Sequence, residues 1–213
     1  MRTSTLLVFS AAAMLTACAG PERSRNLADP AVPATALAQQ VCANCHGSGG
    51  NAESPNFPNL AGQVEAYFIA QLNGFKGQSR QDPAGFEYMW GLSRHLSEGQ
   101  ISGLAAYYAQ QAPARQRAEG DPARVDAGRK VFESGVAEKG VPACVGCHGS
   151  EAQGNAAFPR LAGQHADYLV KQLVVFQRTD ERPEGSIMKT VAHELTRENI
   201  DDVATYLQAL AGR

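Results

Sequence analysis

The sequence predicts an all-α protein built from two tandem copies of one small domain. Three observations predict it. The stretch Cys42-Ala-Asn-Cys45-His46 recurs as Cys144-Val-Gly-Cys147-His148. Behind it, Phe57-Pro58-Asn59-Leu60-Ala61-Gly62-Gln63 recurs as Phe158-Pro159-Arg160-Leu161-Ala162-Gly163-Gln164. The remaining apolar residues recur at helical period, and no period-two alternation marks a strand. The offset between copies is 102 residues at the first cysteines (42 to 144), 101 at the second segment and 99 between Met89 and Met188. So steady a register means duplication of a whole domain, not a solenoid of short repeats.

Taken in order, the chain opens with one positive charge in Met1 to Thr5 and a mostly apolar run, Leu6 to Ala17, ending in small residues. That is the pattern of a secretory signal, too short to span a membrane comfortably. Leu15-Thr16-Ala17-Cys18 has the form of a bacterial lipobox, which would make Cys18 the lipidated first residue of the mature protein. Ordinary cleavage beside Ala17 is the alternative, but the lipobox accounts for the unpaired member of five cysteines. Several acyl chains would anchor the protein firmly to a membrane. Either way the mature protein lies outside the cytoplasm.

Residues 1–18 are thus expected to be signal. Residues 19–35, with Pro21, Pro30 and Pro33, are expected to be a flexible tether. Residues 36–112 form the first domain, 113–124 an exposed linker and 125–213 the second domain. A first helix is expected over Ala34 to Ala43, delivering the first cysteine motif at its end. After each F-P-x-L-A-G-Q segment comes an apolar helical face: Tyr67, Phe68, Leu72 and Phe75, then Tyr168, Leu169, Leu173 and Phe176. Loops ending at Met89 and Met188 follow. Each half closes with a capped helix, through Ser97 and Gln100 in the first and Thr196 in the second, where Asn199 stands in place of the usual Glu or Gln. The second domain begins with a helix near Val125 to Phe132.

C-x-x-C-H is the spacing of c-type haem attachment. Cys42 and Cys45, like Cys144 and Cys147, lie one helical turn apart and can form thioethers to the haem vinyl groups. His46 and His148 are then placed beneath the iron. A redox C-x-x-C or half of a zinc site would use the same cysteines, but the first needs a βαβ setting, and a His directly after each pair favours haem. Two covalently bound haems would supply the apolar surface and the staple that domains of about 80 to 90 residues need. The mature chain has two methionines, Met89 and Met188, each seven residues before the Leu-Ser or Leu-Thr that opens the last helix. A thioether there can reach the iron face opposite the His; filling a core gap is the ordinary use of Met. His95, His165 and His193 have no counterpart in the other half and read as surface histidines. The carbonyl of Pro58 or Pro159 can accept the Nδ1–H of the proximal His, although a rigid turn alone would equally explain a proline.

His–Met ligation raises the potential and leaves no open position for oxygen or peroxide, so one electron per haem is the chemistry expected. The formal charge of −2 excludes a basic field for nucleic acid. With the paired motifs and paired methionines, residues 36 to 213 resemble a dihaem cytochrome c of the cytochrome c4 family. The resemblance implies two class I cytochrome c domains related by a pseudo-twofold axis, and two haem c groups. It implies His46 and Met89 on one iron, His148 and Met188 on the other, and Cys42, Cys45, Cys144 and Cys147 holding the porphyrins. A periplasmic carrier is implied, working between a quinol-oxidising complex or dehydrogenase as donor and a terminal oxidase as acceptor. The cytochrome subunit of a dehydrogenase such as a flavocytochrome is the alternative, and a dihaem oxidase or peroxidase a more distant one.

Overall fold

The computed structural model describes residues 23–113 and 120–210. The expected signal with Cys18, and half of the expected linker (residues 114–119), lie outside the described residues. Among the described residues the chain is helical, with only two isolated bridges, Val136 to Val141 and Asn155 to Phe158, and no strands.

Among the described residues, and beside short 3-10 turns, nine helices fall into two sets. In the first half, α1 spans residues 34–46 as an α turn (Ala34–Leu37), a wider π turn (Ala38–Cys42) and a further α turn (Ala43–His46). α2 is Glu65–Lys76, α3 covers residues 85–93 and α4 is Glu98–Ala109. In the second half, α5 is Pro122–Ser134, α6 Val145–His148, α7 Ala166–Arg178, α8 Ser186–Ala192 and α9 Arg197–Ala209. Both expected caps form. Ser97 and Gln100 make a reciprocal capping box, and so do Thr196 and Asn199, whose shorter amide still reaches back to Thr196 N–H at 3.1 Å.

Each half buries its own core. Leu37, Phe68, Leu72, Ile101, Leu104 and Tyr108 cluster in the first, and Phe132, Leu169, Phe176, Ile200, Val203 and Leu207 in the second. Each such side chain is worth about 1.5–3 kcal/mol when fully removed from water. In the second core α5 crosses α9 so closely that a Cβ on Gly128 would lie 2.0 Å from the Asp202 carbonyl oxygen.

Three expectations need correction. Residues 23–33 form a packed arm, not a flexible tether: Val32 is buried with Leu37, and Gln100 Nε2 donates to the carbonyls of Asp29 (2.9 Å) and Val32 (3.1 Å). Prolines there shape a chain that a buried amide then holds. Helix α5 starts at Pro122, because Asp121 caps it and Pro is suited to the first helical position, so the last residues of the expected linker are helical. Met89 and Met188 sit on short helices, not in loops: Met89 closes the π turn Gly85–Met89 at the start of α3, and Met188 lies inside α8.

Candidate haem centres

In each half a helix end presents two cysteines and a histidine. Cys42 and Cys45, three residues apart on α1, share a face, as Cys144 and Cys147 do around α6. Directly after the histidine the chain must turn back. Gly47 (φ 74°, ψ 158°) and Gly149 (φ 83°, ψ 157°) make that turn in a region essentially confined to glycine. The returning loop is pinned onto the repeated segment. Gly50 O accepts from Leu60 and Ala61 N–H (2.7 and 3.0 Å), and Ala152 O from Leu161 and Ala162 N–H (2.8 and 3.0 Å).

This docking brings the repeated proline to the histidine. His46 Nδ1–H donates to Pro58 O at 2.9 Å, and His148 Nδ1–H to Pro159 O at 3.0 Å; a carbonyl only accepts, so the tautomer is fixed. Phe57 and Phe158 set their rings edge-on to His46 and His148 at centroid distances of 6.1 Å. Burial pulls both imidazoles below their ordinary pKa, against the opposing bond to proline, so each ring is neutral with Nε2 free as a ligand. Met89 and Met188 are half-buried against the first and second cores respectively.

Electrostatics disfavours the competing uses of C-x-x-C. Burial pushes the thiols of Cys42 and Cys144 up to about 11, the opposite of the lowered pKa that a redox C-x-x-C requires. No three His, Cys, Asp or Glu side chains converge on a possible metal site among the described residues. Two thiols on one helix face, an imidazole tied at Nδ1 and a thioether on the following short helix fit a covalently held haem.

The cytochrome c family model matches the chain twice, over residues 31–111 and 125–211. Azotobacter vinelandii cytochrome c4 is 38% identical over 179 residues, 80% of this chain and 84% of the relative. The chain belongs to the cytochrome c4 family. The solved structure of Acidithiobacillus ferrooxidans cytochrome c4 superposes with a TM-score of 0.73 at 38% identity, covering 79% of this chain and 97% of that one. A thiosulfate dehydrogenase electron acceptor from Thiomonas intermedia (strain K12) is 34% identical over 177 residues, 79% of this chain and 77% of the relative. This cytochrome carries two haem c groups, one for each domain, and is a dihaem electron carrier.

The cytochrome's two domains meet through side chains that the sequence reading did not single out. Arg80 and Arg182 lie over the rings of Phe75 and Phe176, at 4.4 and 4.7 Å from their centroids. Arg80 pairs with Asp82 through two bonds (2.7 and 3.1 Å), and Arg182 with Glu184 (2.9 Å). The two guanidiniums share the Oε1 atoms of Gln71 and Gln172, one from each domain. A signal was present: Gln71 and Gln172 recur at the offset of the repeat. Of the unmatched histidines, His95 and His193 are exposed, but His165 is buried, and its Nε2–H donates to Ala52 O of the other domain at 2.9 Å. A surface assignment fails there because the domain interface covers the ring.

Proposed function

We propose that this electron carrier holds one iron between His46 and Met89 and the other between His148 and Met188, with thioethers from Cys42, Cys45, Cys144 and Cys147. The observation that carries this reading is the repeated pairing of a histidine tied at Nδ1 to a proline carbonyl with a methionine on the short helix before the last one. The haems supply the one-electron chemistry. The protein's own part would be to hold the imidazoles neutral and oriented through Pro58 and Pro159, and to offer each iron a histidine and a methionine side chain. Iron held in this way by two side chains would pass electrons without turning over a substrate.

It works in the periplasm, held to a membrane by lipid on Cys18, and delivers electrons to a terminal oxidase from a quinol-oxidising complex or a dehydrogenase. A second reading of the donor is supported by the likeness to thiosulfate dehydrogenase electron acceptors: the electrons come from a thiosulfate-oxidising enzyme.

Met89→Ala and Met188→Ala test the ligation. Each should abolish the oxidised protein's far-red sulfur–iron band for one haem and lower that haem's potential, with the other haem unchanged. Wild-type spectra in both variants would refute it. Mixing the purified cytochrome with a thiosulfate dehydrogenase and thiosulfate tests the donor: rapid haem reduction supports that enzyme, and none sends the search back to quinol oxidation.

A further inference from the structure

Each repeated segment ends in a buried glutamine to which haem attachment assigns no task. Both cross the domain boundary. Gln164 Oε1 accepts from Asn59 N–H at 2.8 Å, and its Nε2 donates to Asn59 O at 3.0 Å. Gln63 does the same in reverse, accepting from Arg160 N–H at 2.8 Å and donating to Arg160 O at 3.0 Å. Each Oε1 also accepts the N–H of the residue after its own glutamine, Val64 or His165.

Asn59 directly follows Pro58. The N–H taken by Gln164 therefore belongs to the same peptide unit as the carbonyl that holds His46. In the other half, the N–H taken by Gln63 belongs to the peptide unit whose carbonyl holds His148. A peptide unit is conjugated, so an acceptor on its N–H moves electron density onto its oxygen and makes that oxygen a better acceptor. The bond from Nδ1–H to that oxygen strengthens, and the imidazole becomes a more basic ligand.

We propose that Gln164 and Gln63 are positioning residues that tune the proximal histidine of the opposite domain. Gln164 of the second domain acts through the Pro58–Asn59 peptide on His46, and Gln63 of the first acts through the Pro159–Arg160 peptide on His148. Each haem's potential is thereby set in part by the domain that does not bind it, and it holds its value only while the domains are docked. This rests on His46 and His148 being the proximal ligands. Docking itself has other supports: His165 to Ala52 O, Arg182 to Gln71 and Gln81 N–H to Glu181 O at 2.7 Å. One glutamine can therefore be changed without parting the halves.

The test uses full-length dihaem protein, its two haems first counted by mass. Gln164→Met removes the acceptor and should raise the first haem's potential, changing its oxidised-to-reduced ratio about three- to tenfold at fixed poise; tenfold is about 59 mV for one electron. The His46 Nδ1–H proton resonance of the reduced protein should move upfield, with His148 and the second haem unmoved. Gln63→Met should give the mirror image. Gln164→Glu, which puts a charged acceptor on the same N–H, should shift the first haem's potential the other way, whereas a role in docking alone would move both variants alike. Equal shifts at both haems, a shift confined to the haem of the mutated domain, or no shift at either would overturn the proposal. Fewer than two haems by mass would instead overturn the ligand reading beneath it.

Discussion

Single residues at the haem helices carry constraints that no neighbour can take over. Gly47 and Gly149 turn the chain immediately after the histidines, and a Cβ on Gly47 would sit 1.9 Å from Asn51 O. Gly47→Ala should destabilise the first domain by about 1–3 kcal/mol, the usual cost of holding another residue in that region. Thermal unfolding of the purified cytochrome would show it as a lower Tm, while Gly91→Ala, with nothing near its Cβ, should act as a silent control on packing. The histidines show how one bond can decide chemistry. Tying Nδ1 to a proline carbonyl selects the tautomer whose Nε2 is a lone-pair donor, and burial keeps it unprotonated.

At the scale of elements, the last helix of each half is held by its first turn. In the first domain Gln100 has two tasks, closing the capping box on Ser97 and holding the arm of residues 23–33 through Asp29 and Val32. Ser97→Ala should cost about 1 kcal/mol, the usual worth of a cap. Gln100→Ala should cost about 2 kcal/mol, because the buried Val32 carbonyl loses its amide donor and the half-buried Asp29 carbonyl keeps only the Val32 N–H. Urea unfolding of the two variants would rank them, and equal midpoints would mean the arm adds nothing. In the second domain the cap Thr196 works with Asn199, whose amide serves a single bond to Thr196 N–H, so Asn199→Ala should cost only about 1 kcal/mol.

Across the whole molecule, the buried Arg80, Asp82 and Arg182 join the halves through Gln71 and Gln172, with the more exposed Glu184 pairing Arg182 at the edge. Burial works against the Asp82 carboxylate, but Arg80, with help from Arg182 and Gln172, more than offsets this and holds its pKa below the usual value. The folded protein therefore binds fewer protons than the unfolded chain near that pKa. The stabilisation is complete above the unfolded value of about 4 and is lost as pH falls through the lower folded value. Stability of the docked form should accordingly decline as pH drops below about 4, read by small-angle scattering or unfolding midpoints. Asp82→Asn should cost about 3 kcal/mol, since it leaves two buried guanidiniums against one carboxylate, and should flatten that acid limb. An unchanged acid limb in Asp82→Asn would assign it to other carboxylates.

What depends on local order and on repetition can be read along the chain. Helical period, the caps at Ser97 and Thr196, the cysteine spacing and the recurrence of F-P-x-L-A-G-Q were readable because neighbouring residues carry them. The fold class, the duplication and the haem chemistry follow from these. What depends on residues far apart in the chain had to wait for the fold. It turned the supposed tether into a packed arm, put Met89 and Met188 on short helices and buried His165. It also sent the glutamines of the repeat into the opposite domain. A side chain's partner across an interface is chosen by how two folded surfaces meet. A repeat shows that Gln63 and Gln164 share a role, but which backbone each one reaches is fixed only when the two halves dock.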